Sequence, residues 1–210
     1  MPKKAGILFV TVGAVLLLSA LLLFFYSEYE EYHAGQEAER VLDGIQSVIA
    51  VQTESPVSAA EGEVETLPAE MPVAEIDGYE CVGYISIPDL DLELPVMAEW
   101  DYSRLKIAPC RHFGSSRTDD LVIAAHNYKT HFGNLSRLKT GAEIRFTDMD
   151  GIENLYRLVR LEILSPDAVD AVQNSGYDLV LYTCTPGGAT RVVAFCDRVE
   201  TKLILDSENW

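Results

Sequence analysis

The chain has 210 residues and a formal net charge of −17, from 16 Lys+Arg against 33 Asp+Glu. That balance excludes a nucleic-acid binder, which needs a cationic surface to displace counterions from phosphates. The charge is uneven: residues 27–80 hold 14 acidic side chains and only Arg40 as basic, a net of −13, whereas residues 81–210 hold 19 acidic and 13 basic, a net of −6.

In chain order, the first element is an uncharged apolar run from Ala5 to Tyr26, preceded by Lys3 and Lys4 and followed by Glu28, Glu30 and Glu31. Roughly twenty apolar residues suffice to cross the hydrocarbon core as a helix. The flanking charges orient the N-terminus to the cytoplasm and the remainder outside. The run is long for a signal peptide and lacks a small-residue cleavage site, so residues 1–26 read as a cytoplasmic tip and transmembrane anchor. Residues 27–80 read as an acidic stalk and linker: Glu28–Val51 has helical composition, and Gln52–Asp77, rich in Glu, Pro, Ser and Ala, reads as a disordered spacer holding the rest off the membrane.

Residues 81–210 form the third region, and its pattern changes to short β-type runs. The segments 81–87, 92–97, 121–125, 143–147, 155–164, 178–183 and 191–199 are strand-like. Short helical candidates lie at 102–107, 133–138 and 167–173. Many short strands with few helices indicate a mainly β domain, a barrel or sandwich.

The richest stretch runs from Asp178 to Val199. Pro186, Gly187 and Gly188 lie between two strand runs, a hairpin signal. A loop from Pro186 to Ala189 pairs Thr185 with Thr190 and sets Cys184 opposite Arg191. Opposed side chains share a face. The guanidinium then lies where it favours a thiolate or donates to a developing oxyanion. The same register puts Cys196 opposite Leu179, about 16 Å along the strand from Cys184, which rules out a disulfide between these two cysteines.

A nucleophilic thiol needs a proton acceptor, and a leaving amine needs a donor; histidine serves both. His33 lies in the stalk. His126 ends the apolar run LVIAA and opens the polar stretch HNYKTHFGN, a strand-end position suited to chemistry. His112 and His131 read as ordinary packed or solvated loop residues. The spacing of Cys110, His112, His126 and His131 fits no zinc template, so no metal or cofactor is expected.

VLYTC (Val180–Cys184), a following strand-borne Arg191, the upstream AAHNY around His126 and the opening GYISIPDLDLELPV (Gly83–Val96) together resemble the sortase family, in the family's own order. Two positions depart from its motifs: Val180 stands where Thr is usual and Ala125 where Gly often precedes the histidine. The spacer shows no lid motif of the pilin-polymerising type, so the resemblance is to a class B-like or class D-like enzyme of a Gram-positive cell surface. It implies an eight-stranded sortase-type β-barrel with a few short helices, preceded by one N-terminal transmembrane helix. It also implies a cysteine transpeptidase. Cys184 is its nucleophile, His126 its general acid/base and Arg191 its stabiliser of oxyanion or substrate, with Thr183, Tyr182 and Asn127 contacting substrate. The implied partners are surface proteins with a C-terminal, LPxTG-like sorting signal, and an acceptor amine from a lipid-linked peptidoglycan precursor or a pilin. The segment Ser165–Tyr177, with Asp167, Asp170 and Tyr177, stands where the family reads the sorting signal. The residues alone leave two other readings open: an extracytoplasmic cysteine peptidase and a non-catalytic membrane-anchored binding module.

Overall fold

The computed structural model describes residues 3–54 and 68–199. Strands β1 (Ala74–Ile76), β2 (Tyr79–Ile87), β3 (Leu92–Met97), β4 (Cys110–Phe113), β5 (Leu121–Ala124), β6 (Glu143–Asp148), β7 (Glu153–Leu164), β8 (Leu179–Cys184) and β9 (Arg191–Arg198) form one sheet. Their order is β1-β2-β3-β4-β5-β8-β9-β7-β6, and β2 also pairs with β6. That last pairing closes β2 through β9 into an eight-stranded barrel with β1 added outside it. Closure leaves the barrel without an unpaired edge. Most pairs are antiparallel, but β3–β4 and β5–β8 are parallel.

Alternation along β8 separates two faces. Leu179 and Leu181 point into the main core, with Ile85, Val96, Phe146 and Leu158 among their neighbours. Val180 and Tyr182 point outward and pack with Val122, Val172, Val193 and Phe195. Cys184 follows in the same outward row, because side chains alternate along a strand. Short helices α2 (Tyr102–Leu105) and α3 (Val169–Gln173) flank this outer face. Asp101 starts α2 as its cap: its carboxylate accepts the Ser103 and Arg104 N–H groups at 2.7 and 3.3 Å.

A single helix, α1, runs from Lys3 to Glu54. Its first half is apolar and exposed, and it is the one helix among the described residues long and apolar enough to cross a bilayer. Its second half does not stand free as a stalk. Ala34, Ala38, Val41, Leu42 and Ile45 are buried at i, i+4, i+7, i+8 and i+11, an apolar stripe laid on the barrel. Gly44 lets the helix come close: a Cβ there would meet Ile76 Cγ2 at 2.4 Å. Burying Val41, Leu42 and Ile45 contributes on the order of 5 kcal/mol to the docking.

This docking corrects two sequence expectations. The helical half of the 27–80 region lies against the barrel, because Glu39 and Asp43 occupy its solvent side while the apolar stripe faces β1, β2 and β3. Strand pairing also begins at Ala74, ahead of residue 81. Residues 55–67 of the expected spacer lie outside the described residues.

Candidate active site

Three adjacent strand ends meet on the outer face. In the parallel β5–β8 pair Ala124 lies beside Tyr182. Extending that register two residues sets His126 level with Cys184, about one strand spacing of 4.8 Å away. On the other side β9 pairs antiparallel with β8, and Cys184 faces Arg191. Thr185 N–H donates to Thr190 C=O at 3.0 Å, so the turn from Pro186 to Ala189 has the predicted length. Gly187 and Gly188 take φ of +83° and +75° there, which L side chains adopt poorly.

His126, Cys184 and Arg191 line one cleft of about 370 Å³. Trp100, Tyr102 and Leu105 form one wall and Pro166, Val169 and Val172 the other. Cys184 is half-buried; the three other cysteines are buried. Burial pushes the Cys81, Cys110 and Cys196 thiols up to about 12, which suppresses their thiolates. Cys184 is therefore the accessible thiol of the chain.

His126 stacks on Tyr128, with centroids 4.0 Å apart and planes 19° from parallel. Burial lowers its pKa below 6.5; the Asn127 side-chain oxygen, as an acceptor for the charged ring, and the Glu30 carboxylate act in the opposite sense, and Lys106 adds to the lowering. Its Nδ1 is buried without a hydrogen-bond partner. Behind it His131 is fully buried with both ring nitrogens unpartnered. Burial, then the neighbouring His126, pushes His131 down to about 4. The Ile107 backbone lies near enough to favour the charged ring but outside hydrogen-bond geometry. The loop residue expected to be ordinary is thus a neutral imidazole beside the candidate base.

Arg191 bends back over its own turn, donating from Nη1 to the Gly188 and Thr190 carbonyls at 3.0 and 3.1 Å. This fixes the guanidinium at the hairpin end, and its remaining donors stay available to a ligand.

The other expected contacts divide. Tyr182 lines the cleft, and its hydroxyl meets His112 Nδ1 at 2.8 Å. Asn127 lies beside the His126 ring, where it favours the charged form, and is not among the cleft-lining side chains. Thr183 is only 2% exposed, on the inward face of β8, where its hydroxyl donates to Ala125 C=O at 2.9 Å. It braces the backbone just before His126, and it is also among the residues that line the cleft. Asp167 bonds Ser165, Asp170 pairs with Asn174, and Tyr177 packs on Phe195 under Arg160. None of these three lines the cleft; the same segment offers Pro166, Ala168, Val169 and Val172 instead.

Sequence reasoning missed the aromatic end of the cleft. Trp100 lies 5.5 Å from His112, and His112 lies 3.8 Å from Phe113, centroid to centroid. Burial lowers the pKa of His112, so its ring tends to neutrality. The signal available was weak: β4 is four residues long and carries no period-2 pattern that separates it from a loop.

A family model described as "Sortase domain" matches residues 85–199. Sortase A of Bacillus anthracis is 27% identical over 206 residues, covering 94% of each chain. Among solved structures, a pilus-related sortase C of Group B Streptococcus aligns with a TM-score of 0.53 at 21% identity, covering 82% of this chain and 96% of that one. A lid mutant of sortase A from Corynebacterium diphtheriae gives 0.51 at 20% identity, covering 74% and 94%. At such identities the two structures speak for the shared barrel alone. These relatives carry the names sortase A and sortase C, so a class B-like or class D-like assignment gains nothing from them.

Proposed function

The chain belongs to the sortase family, and from that premise we propose that it is a membrane-anchored cysteine transpeptidase with Cys184 as nucleophile. In this reading the Cys184 thiolate attacks the carbonyl carbon of the scissile peptide in an LPxTG-like sorting signal. His126 takes up the thiol proton and delivers it to the leaving amine, which leaves a thioester on Cys184. An incoming amine, from a lipid-linked cell-wall precursor or a pilin, gives a proton to His126 and expels the thiolate as the new amide forms. Arg191 donates to the oxyanion or to the substrate backbone. Ala5–Tyr26 crosses the membrane with the barrel outside.

One observation carries the reading: the accessible thiol lies between an imidazole and a guanidinium on three neighbouring strand ends, inside a cleft with apolar walls. A fully solvated thiol or a buried one would support no such chemistry.

The test is mass spectrometry of the full chain in detergent with a sorting-signal peptide. A mass gain on the peptide carrying Cys184, converted to an amide product on adding an amine, is the expected result. Acyl-enzyme that yields only free acid with every amine tried would make the chain a peptidase. Absence of any adduct with a range of peptides would overturn the covalent mechanism.

A further inference from the structure

We infer that α1 is a rigid post that holds the catalytic cleft at the depth of the lipid headgroups, so that the bilayer surface itself presents the substrate; this rests on the membrane-anchored reading above. The helix passes from its apolar half into its docked half as one α-helix from Lys3 to Glu54, and no proline interrupts it. Three carboxylates just beyond the apolar run clamp the barrel. Glu31 accepts the Lys129 backbone N–H at 2.6 Å, Glu28 meets Lys129 Nζ at 3.4 Å, and Glu30 meets Lys106 Nζ at 3.5 Å. Gly35 presses on Thr130: a Cβ there would meet its Cγ2 at 3.3 Å. These contacts fall on Lys106 and on Lys129 and Thr130, the last two within the loop that His126 opens.

The depth follows from the helix rise. Glu31 lies five residues past Tyr26, about 8 Å along the axis at 1.5 Å per residue. Each headgroup layer is roughly 5–8 Å thick, from the difference between the whole bilayer and its hydrocarbon core. Tyr26, Tyr29 and Tyr32 are each about 60% exposed and form the aromatic belt expected at that depth. Tyr128 shares a pocket with Tyr26 and Tyr29, and it stacks on His126. The candidate base is therefore one aromatic ring away from the residues where the helix leaves the membrane.

A cleft at fixed height has a functional consequence. A donor or acceptor tethered to the same bilayer is confined to the same thin layer, which raises its effective concentration. A soluble peptide gains nothing from the post. A flexible stalk would give the opposite pattern, tolerating any change of length.

The experiment lengthens the post. Seven helix-forming residues inserted between Ser27 and Glu28 add about 10 Å and nearly restore the helical phase, leaving the docked residues intact. Parent and lengthened chains are reconstituted in phosphatidylcholine–phosphatidylglycerol vesicles. Each is given an LPxTG-like peptide, either free or fused to a transmembrane helix in the same vesicle. The expected result is equal turnover of the free peptide, within twofold, and at least a tenfold loss on the tethered one. Equal turnover of the tethered substrate by both chains overturns the inference. A second measurement needs no activity: a fluorophore on Lys129→Cys in the Cys184→Ala chain is quenched by headgroup-attached quenchers in the parent, and the insertion relieves it. An unquenched parent also overturns the inference. Failure of the parent on the free peptide, with quenching intact, would instead count against the proposed reaction.

Discussion

Two clusters of polar side chains occupy opposite ends of the same strands, and they are satisfied to different degrees. At the end where β5 and β8 begin and β9 finishes, Arg117 is 8% exposed and bonds Asp148 at 2.9 Å and Asp150 at 2.5 Å. Asp148 also accepts the Asp150 and Ile152 N–H groups at 3.0 and 3.1 Å. Arg198 bonds Asp119, Asn154 and the Ser116 carbonyl, and lies over the Tyr156 ring at 5.3 Å. At the other end, the cleft end, residues 126–131 hold four of the six buried side-chain atoms without partners among the described residues. Leaving a buried polar group unpaired costs about 1–3 kcal/mol. The first cluster leaves one such atom, Ser116 Oγ, and the second leaves four. The better-satisfied end stabilises the barrel, and the other end carries His126, the one of these residues that lines the cleft.

The sharpest test of this contrast is Cys184→Ala. It removes the nucleophile while touching none of the bonds that hold the barrel. Turnover of a sorting-signal peptide should fall by at least ~10⁴-fold, about 5.5 kcal/mol in barrier, with the thermal midpoint within a degree or two of the parent. Residual turnover near a tenth of the parent would mean that another group performs the attack. Arg117→Ala should give the reverse pattern. Breaking a buried pair strands Asp148, which is 1% exposed in its side chain, and should lower unfolding stability by about 3–4 kcal/mol. The surviving folded fraction should keep its turnover and its rate of thiol labelling at Cys184. An activity loss larger than the folded fraction explains would erase the distinction between the two ends.

The sequence showed the satisfied and unsatisfied ends unequally. The hairpin was fully legible: Pro186, Gly187 and Gly188 dictate a turn, the turn dictates register, and register places Arg191 against Cys184. Local chemistry determined every step. His126 was legible as a strand end, but its alignment with Cys184 depends on β5 pairing parallel with β8, a contact between segments over fifty residues apart. The dense Arg117 and Arg198 networks were invisible because their partners come from distant turns. The docked half of α1 was misread for a related reason. Val41, Leu42 and Ile45 form a stripe on a helix whose acidic residues dominate the composition, and composition does not say which face meets a partner. His131 was left between packed and solvated because a loop position does not decide between them; the loop folds inward and buries it completely.

A third, smaller effect comes from that buried imidazole. His131 stays neutral in the folded chain down to about pH 4, but in the unfolded chain it protonates near 6.5. The folded pKa is depressed, so the unfolded state binds more protons between these values. Its contribution to stability is present above pH 6.5 and is lost as pH falls toward 4, by on the order of 3 kcal/mol. His131→Gln removes this titration. Urea denaturation across pH 4 to 7 should show a shallower fall for the variant than for the parent, even if the variant is less stable at pH 7. Parallel curves would mean that carboxylates elsewhere dominate acid sensitivity.

The smallest effect is expected at the aromatic end of the cleft. Burial pushes the Tyr182 hydroxyl up to about 12, and burial lowers His112, so a protonated hydroxyl meets a neutral ring, with the ring's tautomer setting which of the two donates. Tyr182→Phe deletes this one bond. The His112 ring remains packed between Trp100 and Phe113, and the Cys184–Arg191 register is untouched. A half-exposed neutral hydrogen bond contributes about 1 kcal/mol, so kcat/KM on a sorting-signal peptide should fall by roughly two- to fivefold. The loss should appear in KM, because a loosened cleft wall binds substrate and transition state alike less well. The rate of thiol labelling at Cys184 should not change. A loss confined to kcat and exceeding about thirtyfold would have a different meaning. It would place the Tyr182–His112 pair with His126 in proton transfer and extend the unsatisfied, reactive end of the barrel by one more strand.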